Sequence, residues 1–259
     1  MTGLARRALA EAVGTGLLVT AVIGSGIMAQ RLSPSDAGLQ LLENSIATAF
    51  ALTVLILIMG PVSGAHFNPV VSLADWLLGR RTGEGLDGRT LLAYLPAQIA
   101  GALGGAVLAN LMFELPVAAA STHERTGPAL WLGEIVATAG LVALIFALVR
   151  TGRAALAPPA VGAYIGAAYW FTSSTSFANP AVTLGRTVTD TFAGIAPASA
   201  PGFVAAQLIG AALGVALVRL LHPLNTPETG RAADHSPEEH PRLALPTSRP
   251  DQEGAAGLG

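Results

Sequence analysis

The sequence contains no cysteine and no lysine, and only 12% of its 259 residues are charged. The absence of cysteine excludes disulfides, thiolate nucleophiles and cysteine-ligated metals, and it leaves the redox compartment undetermined. The absence of lysine excludes Schiff-base chemistry. Because the five histidines are scattered rather than set at ligand spacing, we expect no metal and no cofactor. With a net charge of -2 and no extended basic patch, the chain is not expected to bind nucleic acid.

Hydrophobic residues make up 52% of the chain and fall in long runs. Six runs are long enough to cross a hydrocarbon layer of roughly 30 Å as helices. They cover residues 8–29, 44–60, 91–113, 129–149, 154–172 and 202–221. Arg6 and Arg7 precede a first run of about twenty residues, which we interpret as a retained span rather than a signal peptide. The sequence therefore predicts an all-α protein embedded in the lipid bilayer.

Two shorter apolar segments, residues 68–78 and 179–189, lie between the predicted spans. At about 1.5 Å per residue, each reaches only some 16 Å, about half the hydrocarbon thickness. Each begins with Asn-Pro, and Asn is a good helix cap while Pro suits the first helical turn. Half-spans are tolerated only inside protein or beside a water-filled cavity. The sequence thus predicts six transmembrane helices and two re-entrant half-helices.

The two halves of the sequence repeat each other. The matched features are the segments 66–73 and 177–184, the glutamates Glu11 and Glu134, and the glutamines Gln98 and Gln207. Three predicted spans separate each feature from its copy, so the halves must cross the membrane in opposite directions. We therefore expect an inverted repeat whose halves cover about residues 1–120 and 121–222.

Arginines are distributed unevenly between the two sides of the predicted spans. One side carries Arg6, Arg7, Arg80, Arg81, Arg89, Arg150, Arg153 and Arg219, and the other carries Arg31, Arg125 and Arg186. This bias predicts a multi-pass protein of the cell (inner) membrane with both termini in the cytoplasm. Residues 1–222 form the predicted membrane domain. Residues 223–259 are rich in polar and charged residues and poor in apolar ones, which predicts a disordered cytoplasmic tail.

In an inverted repeat the two Asn-Pro helix starts meet near the middle of the bilayer. Asn68 and Asn179 would each offer an amide donor to a passing solute. Their helix ends carry roughly half an elementary charge each, which repels cations such as hydronium. The backbone carbonyls expected to line the same path belong to Gly64, Ala65, His66, Thr175, Ser176 and Phe177. The predicted arrangement is a pore.

These features resemble the major intrinsic proteins, the family of aquaporins and aquaglyceroporins, over about residues 5–222. The paired boxes here read Asn68-Pro69-Val70 and Asn179-Pro180-Ala181. The first box departs from the usual Asn-Pro-Ala by Val70, which adds two methyl groups at a helix contact. The resemblance implies a passive channel rather than an enzyme, assembled as a homotetramer with one pore in each protomer.

The resemblance also implies where the selectivity filter lies. Carried over by spacing from the two asparagines, its positions fall on Thr48, Ala167, Ser176 and Val182, while an alternative alignment of the second span replaces Thr48 by Phe50. Members of the family usually carry an arginine at the position of Val182. Small side chains in place of an arginine and aromatic rings predict a wider constriction and lower selectivity.

The expected permeants are therefore small neutral solutes: water, glycerol-type polyols, urea and the neutral trihydroxides of arsenic and antimony. The filter set resembles a bacterial branch of aquaglyceroporins associated with arsenic resistance. Two alternatives stay open, a water-selective aquaporin and an ion-coupled secondary transporter. A membrane-embedded enzyme would need a nucleophile with its base or a metal cluster, and the sequence offers neither.

Several polar residues have two interpretations. Glu11 and Glu134 either carry protons or, as the resemblance implies, brace the re-entrant loops by accepting hydrogen bonds. His66 is either a structural hydrogen-bonding group or a pH-sensitive gate. Arg186 lies one turn beyond Val182 on the same helical face, where it either returns positive charge to the outer mouth of the pore or is a solvated arginine at a loop end.

Overall fold

The computed structural model describes residues 3–80 and 83–223. In these ranges the chain forms eight α-helices. They are α1 Gly3–Leu32, α2 Ala37–Ser63, α3 Pro69–Gly79, α4 Gly88–Met112, α5 Pro128–Arg150, α6 Ala157–Phe171, α7 Pro180–Gly185 and α8 Ala200–Leu221. The predicted all-α class, with six long helices and two short ones, is confirmed. From residue 224 onward the predicted tail lies outside the described residues.

Five of the six long helices are long and apolar enough to cross a membrane, and α6 is the exception with 15 residues. Prolines at the start of α6 fix where its regular turns can begin. A 3₁₀ turn, Ala154–Leu156, precedes it, and together the two segments rise roughly 28 Å. This length nearly matches the hydrocarbon layer.

The two short helices begin where the sequence predicts. Asn68 caps α3 by accepting a hydrogen bond from Val70 N at 3.1 Å, and Asn179 caps α7 by accepting from Ala181 N at 2.9 Å. A proline follows each cap and occupies the first helical turn. The sequence signal for both helix starts is therefore purely local.

The second short helix ends earlier than expected. The predicted segment 179–189 is α-helical only over Pro180–Gly185 and continues as a 3₁₀ turn over Arg186–Val188. Its later carbonyls serve partners outside the helix: Thr187 O accepts from Ser121 N, and Val188 O accepts from Ala119 N, both at 3.0 Å. The α4–α5 loop thus binds the segment that follows α7.

In each half the corresponding two helices pack closely together: α1 packs against α4, and α5 packs against α8. A Cβ on Gly101 would overlap the carbonyl oxygen of Ala12, and a Cβ on Gly105 would overlap that of Gly16. Gly210 and Gly214 pack in the same way against the backbone of α5. Thr20 adds a hydrogen bond across the first pair, from its Oγ1 to Gly105 O at 3.0 Å. These glycines are required because backbone meets backbone at the crossing.

We predict that Gly105→Ala destabilises the protein by about 1–3 kcal/mol, because the carbonyl of Gly16 cannot move aside as a flexible side chain could. Gly104→Ala is the matched control, since a Cβ there meets nothing within 4 Å. Thermal unfolding in detergent, followed by the folded fraction on size exclusion, measures the difference. Equal unfolding temperatures for the two variants would contradict this account of the crossing.

Candidate functional site

The starts of α3 and α7 are joined by two reciprocal hydrogen bonds. Asn68 Nδ2 donates to Ala178 O and Asn179 Nδ2 donates to Phe67 O, each at 2.8 Å. Each asparagine thus caps its own helix with its oxygen and reaches the opposite loop with its nitrogen. The junction brings both positive helix ends to one place.

The loops that lead into the two asparagines share an unusual backbone. The residues with left-handed φ, from 48° to 90°, are Gly64, Ala65 and Phe67 in the first loop and Thr175, Ser176 and Ala178 in the second. They stand at matching distances before the asparagine in each loop. Five of the six are not glycine, and such residues cost about 1–3 kcal/mol each in this conformation. The surrounding structure must therefore hold the loops.

Two fully buried glutamates hold these loops. Glu11 accepts hydrogen bonds from Ser63 Oγ at 2.6 Å, His66 N at 3.0 Å, Phe67 N at 2.7 Å and Gln98 Nε2 at 2.8 Å. Glu134 accepts from Phe177 N and Ala178 N at 2.8 Å each and from Gln207 Nε2 at 2.6 Å. Every one of these contacts presents a donor to a carboxylate oxygen, which offsets the cost of burying the group.

A cavity of about 620 Å³ runs past this junction. It reaches from Ala154 and Asp75 at one end to Arg186 at the other. Both asparagines line it, as do the residues three positions after each of them, Val71 and Val182. The neighbouring box residues Pro69, Val70, Pro180 and Ala181 do not line it and pack into the protein instead.

Of the predicted filter residues, the structure places Thr48, Ser176 and Val182 in the cavity wall. Thr48 is only 3% exposed, whereas the alternative residue Phe50 is 70% exposed and points away from the cavity. The expectation for Ala167 is wrong, because this residue lies on the exposed face of α6.

The cavity face of α6 carries Ile165 and Tyr169, four positions apart. Ala167 is two positions from each and therefore lies on the other side of the helix. Tyr169 occupies the place assigned to Ala167, and its hydroxyl lies 3.2 Å from Thr48 Oγ1. An aromatic ring thus narrows the cavity at a position where a small side chain was expected.

Among the residues whose carbonyls were expected along the path, Gly64, Ala65, His66, Ser176 and Phe177 line the cavity. Thr175 is not among the residues that line the cavity. Thr175 N hydrogen-bonds to Thr172 O, which keeps this residue in the turn that ends α6. His66 also bonds Ser72 Oγ through Nδ1 at 3.0 Å, and its ring meets that of Tyr94 edge to face.

Arg186 is buried, and its interpretation as a solvated arginine is wrong. Its side chain is 3% exposed and lines the cavity. The guanidinium carbon lies 3.4 Å from the ring centroid of Phe177, and Nε donates to Ala193 O. Arg125 lies over the same ring, 5.2 Å from the centroid. The sequence spacing predicted the helical face on which Arg186 lies. It could not predict the contacts with Phe177 and Ala193.

The α4–α5 loop, residues 114–127, fixes the segment that follows α7. Ala196 N donates to His123 O at 2.7 Å, and Arg125 Nε donates to Gly194 O at 2.9 Å. Asp190 accepts from the backbone N and the hydroxyl of Thr122, and these hydrogen bonds hold the pKa of Asp190 below its ordinary value. The carboxylate therefore stays charged to a lower pH than an ordinary aspartate and holds the loop through these bonds.

We predict that Glu134→Gln weakens the second loop, because the amide would turn an NH₂ group toward N–H donors of Phe177, Ala178 or Gln207. A mismatch of this kind costs about 1–3 kcal/mol, so both the unfolding temperature and solute flux per folded channel should fall. The exposed Glu124→Gln is the control. Unchanged flux in a stable Glu134→Gln protein would show that the carboxylate is dispensable.

Residues 2–177 match the family described as major intrinsic protein. The chain is 58% identical over 221 residues to the aquaglyceroporin AqpS of Rhizobium meliloti (strain 1021), covering 85% of this chain and 92% of that protein. It is 33% identical over 273 residues to the glycerol uptake facilitator protein of Pseudomonas aeruginosa, covering 89% and 94%.

The fold is also similar to that of a solved structure, the aquaglyceroporin from Plasmodium falciparum. The TM-score is 0.62, and the match covers 84% of this chain and 96% of that chain. The sequence identity is 18%, so this likeness concerns the fold alone.

Proposed function

This chain belongs to the major intrinsic protein family, and from that premise we propose that it is a passive channel with a wide constriction for small uncharged solutes. As a member of this family it is a multi-pass membrane protein and a channel for small neutral solutes rather than an enzyme. The finer proposal is that glycerol-type polyols, urea, water and the neutral trihydroxides of arsenic and antimony all pass.

The observation that carries this proposal is Val182 in the cavity wall, three residues after Asn179. A valine there leaves space that a long cationic side chain would fill, and this space remains although Tyr169 narrows the cavity from the α6 wall. Thr48 and Tyr169, whose hydroxyls lie 3.2 Å apart, add hydroxyl groups to the cavity wall. Hydroxyl groups accept and donate hydrogen bonds, so they suit a solute that carries several hydroxyls of its own.

Neutral trihydroxides of arsenic present three hydroxyl groups on a compact centre, as glycerol presents three on a short chain. A site that recognises hydroxyls by hydrogen bonds and small size does not distinguish the two strongly. Similarity to an aquaglyceroporin and to a glycerol uptake facilitator supports the polyol class. We extend that class to arsenite on chemical grounds.

Further parts of the proposal concern the frame of the pore. Asn68 and Asn179 donate to the passing solute at the junction, the exposed carbonyls of the two loops accept from it, and Glu11 and Glu134 brace those loops. We place both termini in the cytoplasm and the protein in the inner membrane, on the arginine bias of the sequence. The proposal also includes assembly as a homotetramer. Residues 1–222 form the channel domain and residues 223–259 form a cytoplasmic tail.

The test is stopped-flow light scattering on proteoliposomes with water, glycerol, urea and arsenite. We predict that Val182→Arg lowers glycerol and arsenite permeability about tenfold, equal to ~1.4 kcal/mol in barrier height, while water still passes. Val182→Met adds length without charge and separates the effect of bulk from that of the cation. A wild-type protein that passes only water, or a Val182→Arg variant that behaves like wild type, would overturn the wide-constriction proposal.

A further inference from the structure

Arg186 is a buried cation in the cavity wall with no acidic partner. Arginine is almost never fully buried unless it is paired, yet this side chain is 3% exposed. The contact of His123 with Asp190 lies on the protein surface and does not involve Arg186. Glu134 is the buried acid of the second half, and both of its carboxylate oxygens accept hydrogen bonds from the loop before Asn179. Arg186 therefore makes no salt bridge with any described residue, although the charges of Glu134 and Arg125 also act on it.

The guanidinium of Arg186 is fixed in position. Phe177 covers the group at 3.4 Å, and Ala193 O accepts from Nε. The neighbouring carbonyls, Phe192 O and Gly194 O, accept from Arg125. A guanidinium has five N–H donors, so four remain after the bond to Ala193. Ala193 O is its single acceptor in the part of the chain described by the structure, and the remaining donors are free for an occupant of the cavity.

A second group at this end of the cavity also lacks a partner. Ser176 Oγ makes no hydrogen bond to any described residue, and surrounding atoms cover it rather than leaving it open to the cavity. A buried hydroxyl left unsatisfied costs about 1–3 kcal/mol. Thr48 and Tyr169 place two more hydroxyls on the same wall. One cation with unpaired N–H donors and two hydroxyls on the cavity wall fits a small uncharged molecule rich in oxygen.

We propose that Arg186 is the specificity-determining cation of this pore: it binds the oxygens of uncharged solutes and excludes monovalent cations. The proposal rests on the proposed function as a solute channel. Arg186 stands one helical turn beyond Val182, so the charge and the width are set by different residues. The pore is thereby wide at residue 182 and still positively charged at residue 186. A fixed charge beside a water-poor passage acts on an ion over several ångströms.

The experiment compares potassium flux with glycerol flux in the same proteoliposomes, so the ratio does not depend on the yield of folded channel. We expect Arg186→Gln to raise this ratio at least about tenfold, because the electrostatic barrier is gone, and Arg186→Lys to keep it near wild type. Arg31→Gln is the matched control, since Arg31 also stacks on a ring and donates to a carbonyl, but outside the cavity.

The proposal would be overturned if Arg186→Gln kept the wild-type ratio of potassium flux to glycerol flux. It would also be overturned if the glutamine and lysine variants passed potassium equally. If Arg186→Gln does not fold, Arg186→His replaces it, because histidine titrates near pH 6.5. Its ratio should then be several-fold higher at pH 9 than at pH 5, and an unchanged ratio would refute the role of charge. A wild-type protein that passes no glycerol would contradict the proposed function itself. The failure of that function and the failure of the Arg186 proposal can therefore be told apart.

Discussion

The structure depends on the hydrogen bonds that two buried carboxylates accept from strained backbone. Glu11 and Glu134 each bind two consecutive N–H groups of a re-entrant loop. Without them these donors would be buried and unsatisfied, and non-glycine residues at positive φ would relax to extended backbone. The loops position the asparagines, and the asparagines start the short helices. The second of these helices carries Val182, and the 3₁₀ turn after it carries Arg186, to the cavity wall.

The inverted repeat makes the two halves depend on each other. Asn68 completes the loop of the second half by donating to Ala178 O, and Asn179 completes that of the first by donating to Phe67 O. Neither half satisfies its own loop carbonyl at this point. The contact between Thr48 on α2 and Tyr169 on α6 is a further bond between halves. A single half would therefore expose polar backbone in an apolar environment, which a membrane penalises strongly.

The sequence predicted what local chemistry determines and missed what depends on angle and distant contacts. Asn-Pro dipeptides marked both short helix starts, and apolar run lengths marked the long helices. Counting back from Asn179 selected Ala167, but the cavity face of α6 carries Tyr169 instead. Spacing placed Arg186 on the right helical face, yet its burial follows from Phe177 and Ala193, which no periodicity reveals.

The reciprocal bonds at the junction also determine how protons could move. Each asparagine oxygen is occupied by its own helix, and each amide nitrogen spends one hydrogen on the opposite loop. The midpoint therefore offers a solute one remaining hydrogen from each side and no asparagine oxygen. A water molecule there accepts twice, so its own hydrogens point away from the junction in both directions. A chain of waters would reverse its orientation at this point, which would interrupt a proton relay along it.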